Sequence, residues 1–246
     1  MSDQQHHHHP HGQGHDYVEA NKAYFNASGY AASYDDHPSY VEFAKAVGAA
    51  IRDAYPFDPE TTTALDFACG TGLTTRSYVP YVKSVLGVDI SQRMLDQYTK
   101  QAIEKGFADK MSCICTELKG AEGELDGAQF DVITCSMAYH HFGSTQDITN
   151  MLAKFLRPGG VLIIIDIEAP SEQTKALKEM ENLEYVAHKR GFETEDMRKL
   201  FEGAGLVAFD MKHVTHAKLV TVGGTGDLEI DAFLAKGAKP AESIYY

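Results

Sequence analysis

The sequence predicts an α/β protein built on a doubly wound, mostly parallel seven-stranded sheet, and three observations carry that prediction. Short apolar or β-branched runs alternate with amphipathic stretches of the length that crossover helices require. A glycine turn, Ala68-Cys69-Gly70-Thr71-Gly72, follows the first of these runs directly. An aspartate, Asp89, closes the second run seventeen residues after Gly72. Alternation of this kind yields parallel strands with helices on both faces, because the crossovers are right-handed.

The elements follow in order. Residues 1–16 hold six of the twelve histidines, mixed with Gln, Gly and Pro, and have no apolar periodicity. They are expected to form a disordered, tag-like tail, with weak transition-metal binding by His6 to His9 as the alternative. Residues 17–58 read as a helical cap, with Tyr24, Phe25, Tyr30, Tyr34, Tyr40, Phe43 and Val47 on one apolar side and breaks near Gly29 and Pro38. Residues 59–246 read as the α/β core of the same single domain. Its strands are expected at Thr63–Phe67, Ser84–Asp89, Met111–Cys115, Phe130–Cys135, Gly160–Ile167, Leu206–Val214 and Leu228–Ala235. Helices are expected at Thr74–Pro80, Ser91–Lys105, Thr145–Leu156, Ser171–His188 and Thr194–Gly203. Pro158-Gly159-Gly160 reads as a helix stop and turn into the fifth strand.

Composition narrows the function classes. A 43% hydrophobic and 23% charged chain folds, and 246 residues suit one sizeable domain. A net charge of -13, with no run of Lys or Arg, disfavours nucleic acid as a partner. The longest apolar stretch, Val161 to Ile167, is too short to span a bilayer, and no secretory leader pattern opens the sequence. Four cysteines without framework spacing fit a reducing cytoplasm, and Cys113 and Cys115 alone make no zinc site, so no metal is expected.

Chemistry concentrates in Ala64 to Thr75, an apolar strand entering a glycine turn and a helix start. Missing side chains let a ligand approach the backbone there, and the first amides of the helix stay free to bind it. Asp89, at a strand end, is placed to hold the two hydroxyls of a ribose. A nicotinamide dinucleotide prefers a third glycine where Thr75 stands, which weakens that alternative.

With Leu65 to Gly72, the sequence resembles the class I S-adenosylmethionine (SAM)-dependent methyltransferases, in particular the branch similar to ubiquinone and menaquinone biosynthesis enzymes with its fungal small-molecule members. Gly87-Val88-Asp89-Ile90-Ser91 with Met94-Leu95, Phe130 to Ile133 with Tyr139 to Phe142, and Leu156 to Gly160 extend the resemblance over about residues 17–239. It implies the Rossmann-like methyltransferase fold and SAM as cofactor. Asp66 would anchor the glycine loop and the amino acid end of SAM, with Ala68 replacing the usual first Gly, and Gly70, Thr71 and Gly72 lining its path. Asp89 would hold the ribose, Ile90 would pack near the adenine, Thr116 and Glu117 would stand by the adenine amine, and Ser136 would sit beside the cofactor.

The methyl acceptor is expected to be a small molecule, aromatic or hydrophobic in character. Residues leaving the fourth strand lie at the crevice, so Tyr139, His140 and His141 are the catalytic candidates, with a histidine as general base near its ordinary pKa of ~6.5. His188 is a third candidate base. Tyr24, Tyr30 and Tyr34 are candidates to close over the sulfonium through their ring faces. A SAM-binding regulatory protein without turnover is the non-enzymatic alternative.

Overall fold

The computed structural model describes residues 16–27, 30–169, 184–220 and 227–241. Seven strands form one sheet: Thr63–Phe67 (β1), Ser84–Asp89 (β2), Met111–Cys115 (β3), Phe130–Ser136 (β4), Leu156–Ile167 (β5), Val207–Val220 (β6) and Asp227–Ala238 (β7). Their order is β3-β2-β1-β4-β5-β7-β6. The first five run parallel, and β7 runs antiparallel to both β5 and β6. The described helices are Tyr17–Phe25 (α1), Tyr30–Asp36 (α2), Pro38–Ala54 (α3), Thr75–Tyr78 (α4), Gln92–Glu104 (α5), Thr145–Lys154 (α6) and Thr194–Gly203 (α7).

Strands β1, β4 and β5 are nearly continuous apolar runs because both their faces are covered. One face carries Val47 and Ile51 of α3 and Tyr98 of α5 against Val85, Ile163 and Ile230; the other carries Leu152 of α6 and Phe201 of α7 against Leu65, Ile133 and Phe233. The strand order reverses between β1 and β4, so a crevice opens at their carboxyl ends.

Four expectations need correction. Helix α3 is a core layer and not part of a cap, since Val47 and Ile51 are fully buried against the sheet. Asp16 belongs to the folded chain and not to the tail: its carboxylate accepts hydrogen bonds from the Val18 and Glu19 amides and caps α1. Pro158-Gly159-Gly160 lies inside β5, where the register with β4 shifts between Phe130 and Val132 and Gly159 and Gly160 pair with Lys239. Strands β6 and β7 are longer than their apolar cores, because an antiparallel pair with one wet face tolerates Lys212, His213, His216 and Lys218. Residues 1–15, most of the helix expected at 171–188, and the side chain of Tyr30 lie outside the described residues.

Candidate active site

The glycine turn is held from below by a buried hydrogen-bond chain. The Asp66 carboxylate accepts from the Thr75 hydroxyl and, at 3.0 Å, from the Thr134 hydroxyl. Thr134 has one proton and gives it to Asp66, so the 2.9 Å contact with Tyr78 has the phenol as donor. Burial pushes the Asp66 carboxyl up to about 6, against the two hydroxyl bonds that lower it. Asp66 thus holds the loop from below through Thr75 and Thr134 and is not among the residues that line the cavity.

Gly72 is also a framework residue. Its φ is +72°, and a Cβ there would stand 2.6 Å from the Tyr98 ring. Ala68 adopts φ +56° in the left-handed region without the freedom of glycine. Ala68→Gly is expected to raise stability by about 0.5–1 kcal/mol, the relief of αL strain exceeding the added chain entropy. A denaturant midpoint equal to or below the wild type would show that the Ala68 methyl contributes more by packing than it costs in strain.

Above the turn lies a cavity of about 660 Å³, within the range of about 300–1,000 Å³ common for small-molecule sites. Of the expected cofactor residues, Ala68, Gly70, Thr71, Asp89, Ile90, Thr116, Glu117, Ser136 and Tyr34 line it. The Asp89 carboxylate ends β2 and accepts from the Gly70 amide at 2.9 Å and the Ser91 amide at 2.8 Å. A carboxylate has about four acceptor sites, so these amides leave capacity for a ligand. Burial raises the Asp89 pKa, and the amides of Ser91, Gly70 and Ile90 oppose that rise. Ser136 lines the cavity, and its buried hydroxyl has no partner among the described residues.

Helix α2 is clasped onto this floor. The side chain of Asp35, 3% exposed, accepts from Arg76 at 2.6 Å, Thr71 at 2.9 Å and Gln97 at 3.0 Å, while Arg76 also donates to the Thr71 carbonyl at 2.7 Å. The sequence held no local signal for this cluster, whose members are spread from 35 to 97.

The catalytic candidates separate. Residues 139–141 form a 3-10 turn, in which successive side chains point about 120° apart. Tyr139 is fully buried and donates to Thr149 at 3.2 Å, since the Thr149 hydroxyl is committed to the Thr145 carbonyl at 2.7 Å. It faces α6 and not the cavity, which corrects the catalytic expectation. His140 donates from Nδ1 to Asp166 at 2.8 Å, its amide donates to the same carboxylate at 3.2 Å, and its carbonyl accepts from Ala187 and His188. It ties β4, β5 and the 184–190 turns together and does not line the cavity. His188 donates from Nε2 to the Phe142 carbonyl at 2.9 Å and also stands outside the lining. Tyr24 stacks on Tyr185 at 3.7 Å and is absent from the lining too, because it faces the 184–190 turns.

His141 is the candidate that faces the cavity. Its Nδ1 lies 3.0 Å from the Tyr185 carbonyl, which can only accept, so the proton sits on Nδ1 and Nε2 is a bare acceptor. Burial, reinforced by His140, holds its pKa well below the usual histidine value. Around it the chamber is apolar: Phe25, Tyr40, Phe43, Phe142 and Leu219 contribute, most of them residues that read in sequence as plain packing. Asn21 lines it as well, and no sequence feature marked it. The charged side chains that line the cavity among the described residues are Asp16, Asp89, Glu117 and Asp147, with no Lys or Arg.

Comparison with known proteins places this site in context. The sequence model of a methyltransferase domain matches residues 40–209. An uncharacterized methyltransferase of Schizosaccharomyces pombe is 34% identical over 148 residues, 58% of this chain, and the matched part spans about half, 52%, of that relative. A ubiquinone biosynthesis O-methyltransferase of Burkholderia vietnamiensis is 26% identical over 161 residues, covering 64% of this chain and 67% of its own. The solved geranyl diphosphate C-methyltransferase of Streptomyces coelicolor, in complex with Mg2+, geranyl diphosphate and S-adenosylhomocysteine, shares the fold at a TM-score of 0.67 and 14% identity, over 94% of this chain and 100% of that one.

Proposed function

The chain belongs to the methyltransferase-domain family, and from that premise we propose that it transfers the methyl group of SAM to a small, largely apolar acceptor molecule. One observation carries the proposal: a single cavity joins the glycine loop and Asp89 to an aromatic chamber that holds His141. The cofactor fits the residues present. Asp89 keeps acceptor capacity for ribose hydroxyls, and the turn offers backbone without bulky side chains. Acidic lining suits a sulfonium cation.

SAM, when bound, supplies a methyl on an activated sulfonium leaving group, so the protein's tasks are orientation and proton removal. The glycine loop and Asp89 hold the cofactor. The aromatic chamber excludes water around the acceptor. His141 takes the proton of the attacking group through Nε2, while the Tyr185 carbonyl keeps Nδ1 protonated and the ring oriented. The nicotinamide alternative loses support, since β7 is inserted antiparallel and the Thr75 hydroxyl, where a third glycine would stand, is bound to Asp66.

Four free thiols support a reducing compartment, and we place the enzyme in the cytoplasm. No helix among the described residues is long and apolar enough to cross a membrane.

Incubation with methyl-labelled SAM and a metabolite extract, followed by mass spectrometry, tests the proposal directly; a labelled small molecule is expected. Asp89→Ala is expected to weaken SAM binding about 10- to 100-fold, as a charged acceptor of hydroxyls contributes on the order of 1.5–3 kcal/mol. Unchanged SAM affinity by calorimetry in folded Asp89→Ala would remove the cofactor assignment.

A further inference from the structure

Two helices that precede the matched residues 40–209 are tied to both ends of the cofactor's seat. The glycine turn has little rigidity of its own. Gly70 and Gly72 sit at φ +53° and +72°, a region that glycine enters freely, and nothing stands within 4 Å of a Cβ placed on Gly70. Thr71, between them, is the residue by which the turn is gripped. Its hydroxyl donates to Asp35 of α2 at 2.9 Å, and its carbonyl accepts from Arg76 at 2.7 Å. Arg76 also donates to Asp35 at 2.6 Å, so carboxylate, guanidinium and Thr71 close a ring. Gln97 of α5 donates to the other Asp35 oxygen at 3.0 Å. A second tie holds the Asp89 side: Asn26 Oδ1, just after α1, accepts from the Arg93 amide at 3.3 Å and lies 3.0 Å from the Ser91 hydroxyl. The Ser91 and Gly70 amides both donate to Asp89, which joins the two ties into one circuit. Asp35 and Asn26 are not among the cavity-lining residues, so this circuit runs behind the site. The Asp35 and Arg76 side chains are 3% and 10% exposed, and removing one member of so buried a pair strands the other. Docking of α2 and the shape of the turn therefore stand or fall together.

We infer that Asp35 is a positioning residue for the cofactor: through Thr71 it fixes the glycine turn in its binding shape, so that docking of α2 and binding of SAM favour each other. The inference rests on reading the turn and Asp89 as the cofactor's seat. Linkage makes the effect reciprocal, the cofactor strengthening the clasp as much as the clasp strengthens the cofactor.

Calorimetry of SAM and S-adenosylhomocysteine binding to the wild type, Asp35→Asn and Asp131→Asn tests it. Asp131 is the control. It too takes an arginine, Arg157 at 2.7 Å, and a threonine hydroxyl, Thr63 at 2.8 Å, but at the amino ends of β1 and β4, away from the crevice. Asp35→Asn keeps the shape and loses the charge that Arg76 needs. It should weaken both ligands by equal factors of at least about fivefold, the low end of ordinary coupling between sites. Asp131→Asn should lower the urea midpoint and leave both affinities within about twofold. A merely structural role for Asp35 would give the Asp131→Asn pattern, which overturns the inference. So does a loss confined to SAM, which would make Asp35 a distant charge felt by the sulfonium and not a grip on the turn. Hydrogen exchange of the wild type reads the reciprocal effect: S-adenosylhomocysteine should slow exchange of the α2 amides at least about fivefold. Unchanged exchange there overturns the inference, and this arm decides alone if Asp35→Asn does not fold. Failure of the wild type to bind either ligand, or unchanged SAM affinity in Asp89→Ala, strikes the reading of the seat instead, so the two failures are distinguishable.

Discussion

Replacing His141 with alanine is expected to lower methyl transfer on the order of 100-fold or more, the usual contribution of a positioned general base, while SAM affinity stays within about twofold. The asymmetry follows from geometry. Most residues proposed to hold the cofactor stand at the ends of β1 and β2 and in the chain after β3, whereas His141 leaves β4 on the aromatic side. The pH profile is a sharper readout. A base acts when unprotonated, and burial and His140 depress the His141 pKa below its ordinary ~6.5. Wild-type turnover should therefore be flat from about pH 6.5 upward, with its acid limb lower than an unperturbed histidine would give. Loss of that limb in His141→Ala identifies the base. Turnover unchanged by the substitution across the same range would leave catalysis to positioning alone.

The contrast among residues 139–141 shows where sequence stops being informative. Three adjacent polar or aromatic residues after a buried strand mark a crevice edge, and that much was legible. Which of them faces the crevice depends on a 3-10 turn whose side chains diverge, one to α6, one to Asp166 and one to the chamber. No spacing rule resolves that. Strands β1, β4 and β5 were legible for a physical reason: burial on both faces forces nearly unbroken apolar runs bounded by turn residues. The ends of β6 and β7 are not marked in the sequence because their exposed positions resemble loop composition. The place of Asp89 at the cavity was legible because an acid that closes the strand after a glycine turn stands at the same carboxyl end of the sheet as that turn. Asn21 was not, because an asparagine in an amphipathic helix looks like any solvated residue until the 184–190 turns cover it with the Tyr185 carbonyl.

Asp66→Ala is expected to destabilise the protein by about 2–4 kcal/mol, because it strips a buried hydrogen-bond chain of its terminal acceptor. The Thr75 and Thr134 hydroxyls would both be left in a fully enclosed site, one at the start of α4 and one on β4. Charge adds a second, opposing effect. The folded pKa of about 6 lies above the ordinary 3.8, so the native state binds the proton more tightly than the unfolded chain. A raised carboxyl pKa contributes stability that is full below the unfolded pKa and is lost as pH rises through about 6. This group thus makes the fold less stable at pH 7.5 than below pH ~3.8 by on the order of 3 kcal/mol. Asp66→Asn removes the titration but keeps the pairing, with Oδ1 accepting from Thr134 and Nδ2 donating to the Thr75 oxygen. Urea midpoints at pH 5 and pH 7.5 should then diverge less for Asp66→Asn than for the wild type, and Asp66→Asn should be at least as stable as the wild type at the higher pH. Because Asp66 does not line the cavity, SAM affinity in Asp66→Asn should stay within about threefold of wild type, far from the loss expected of Asp89→Ala. Identical pH slopes for wild type and Asp66→Asn would mean that the carboxyl is ionised without strain in the folded state, and a collapse of SAM affinity in a stable Asp66→Asn protein would move Asp66 from the loop's foundation into the cofactor's own contacts.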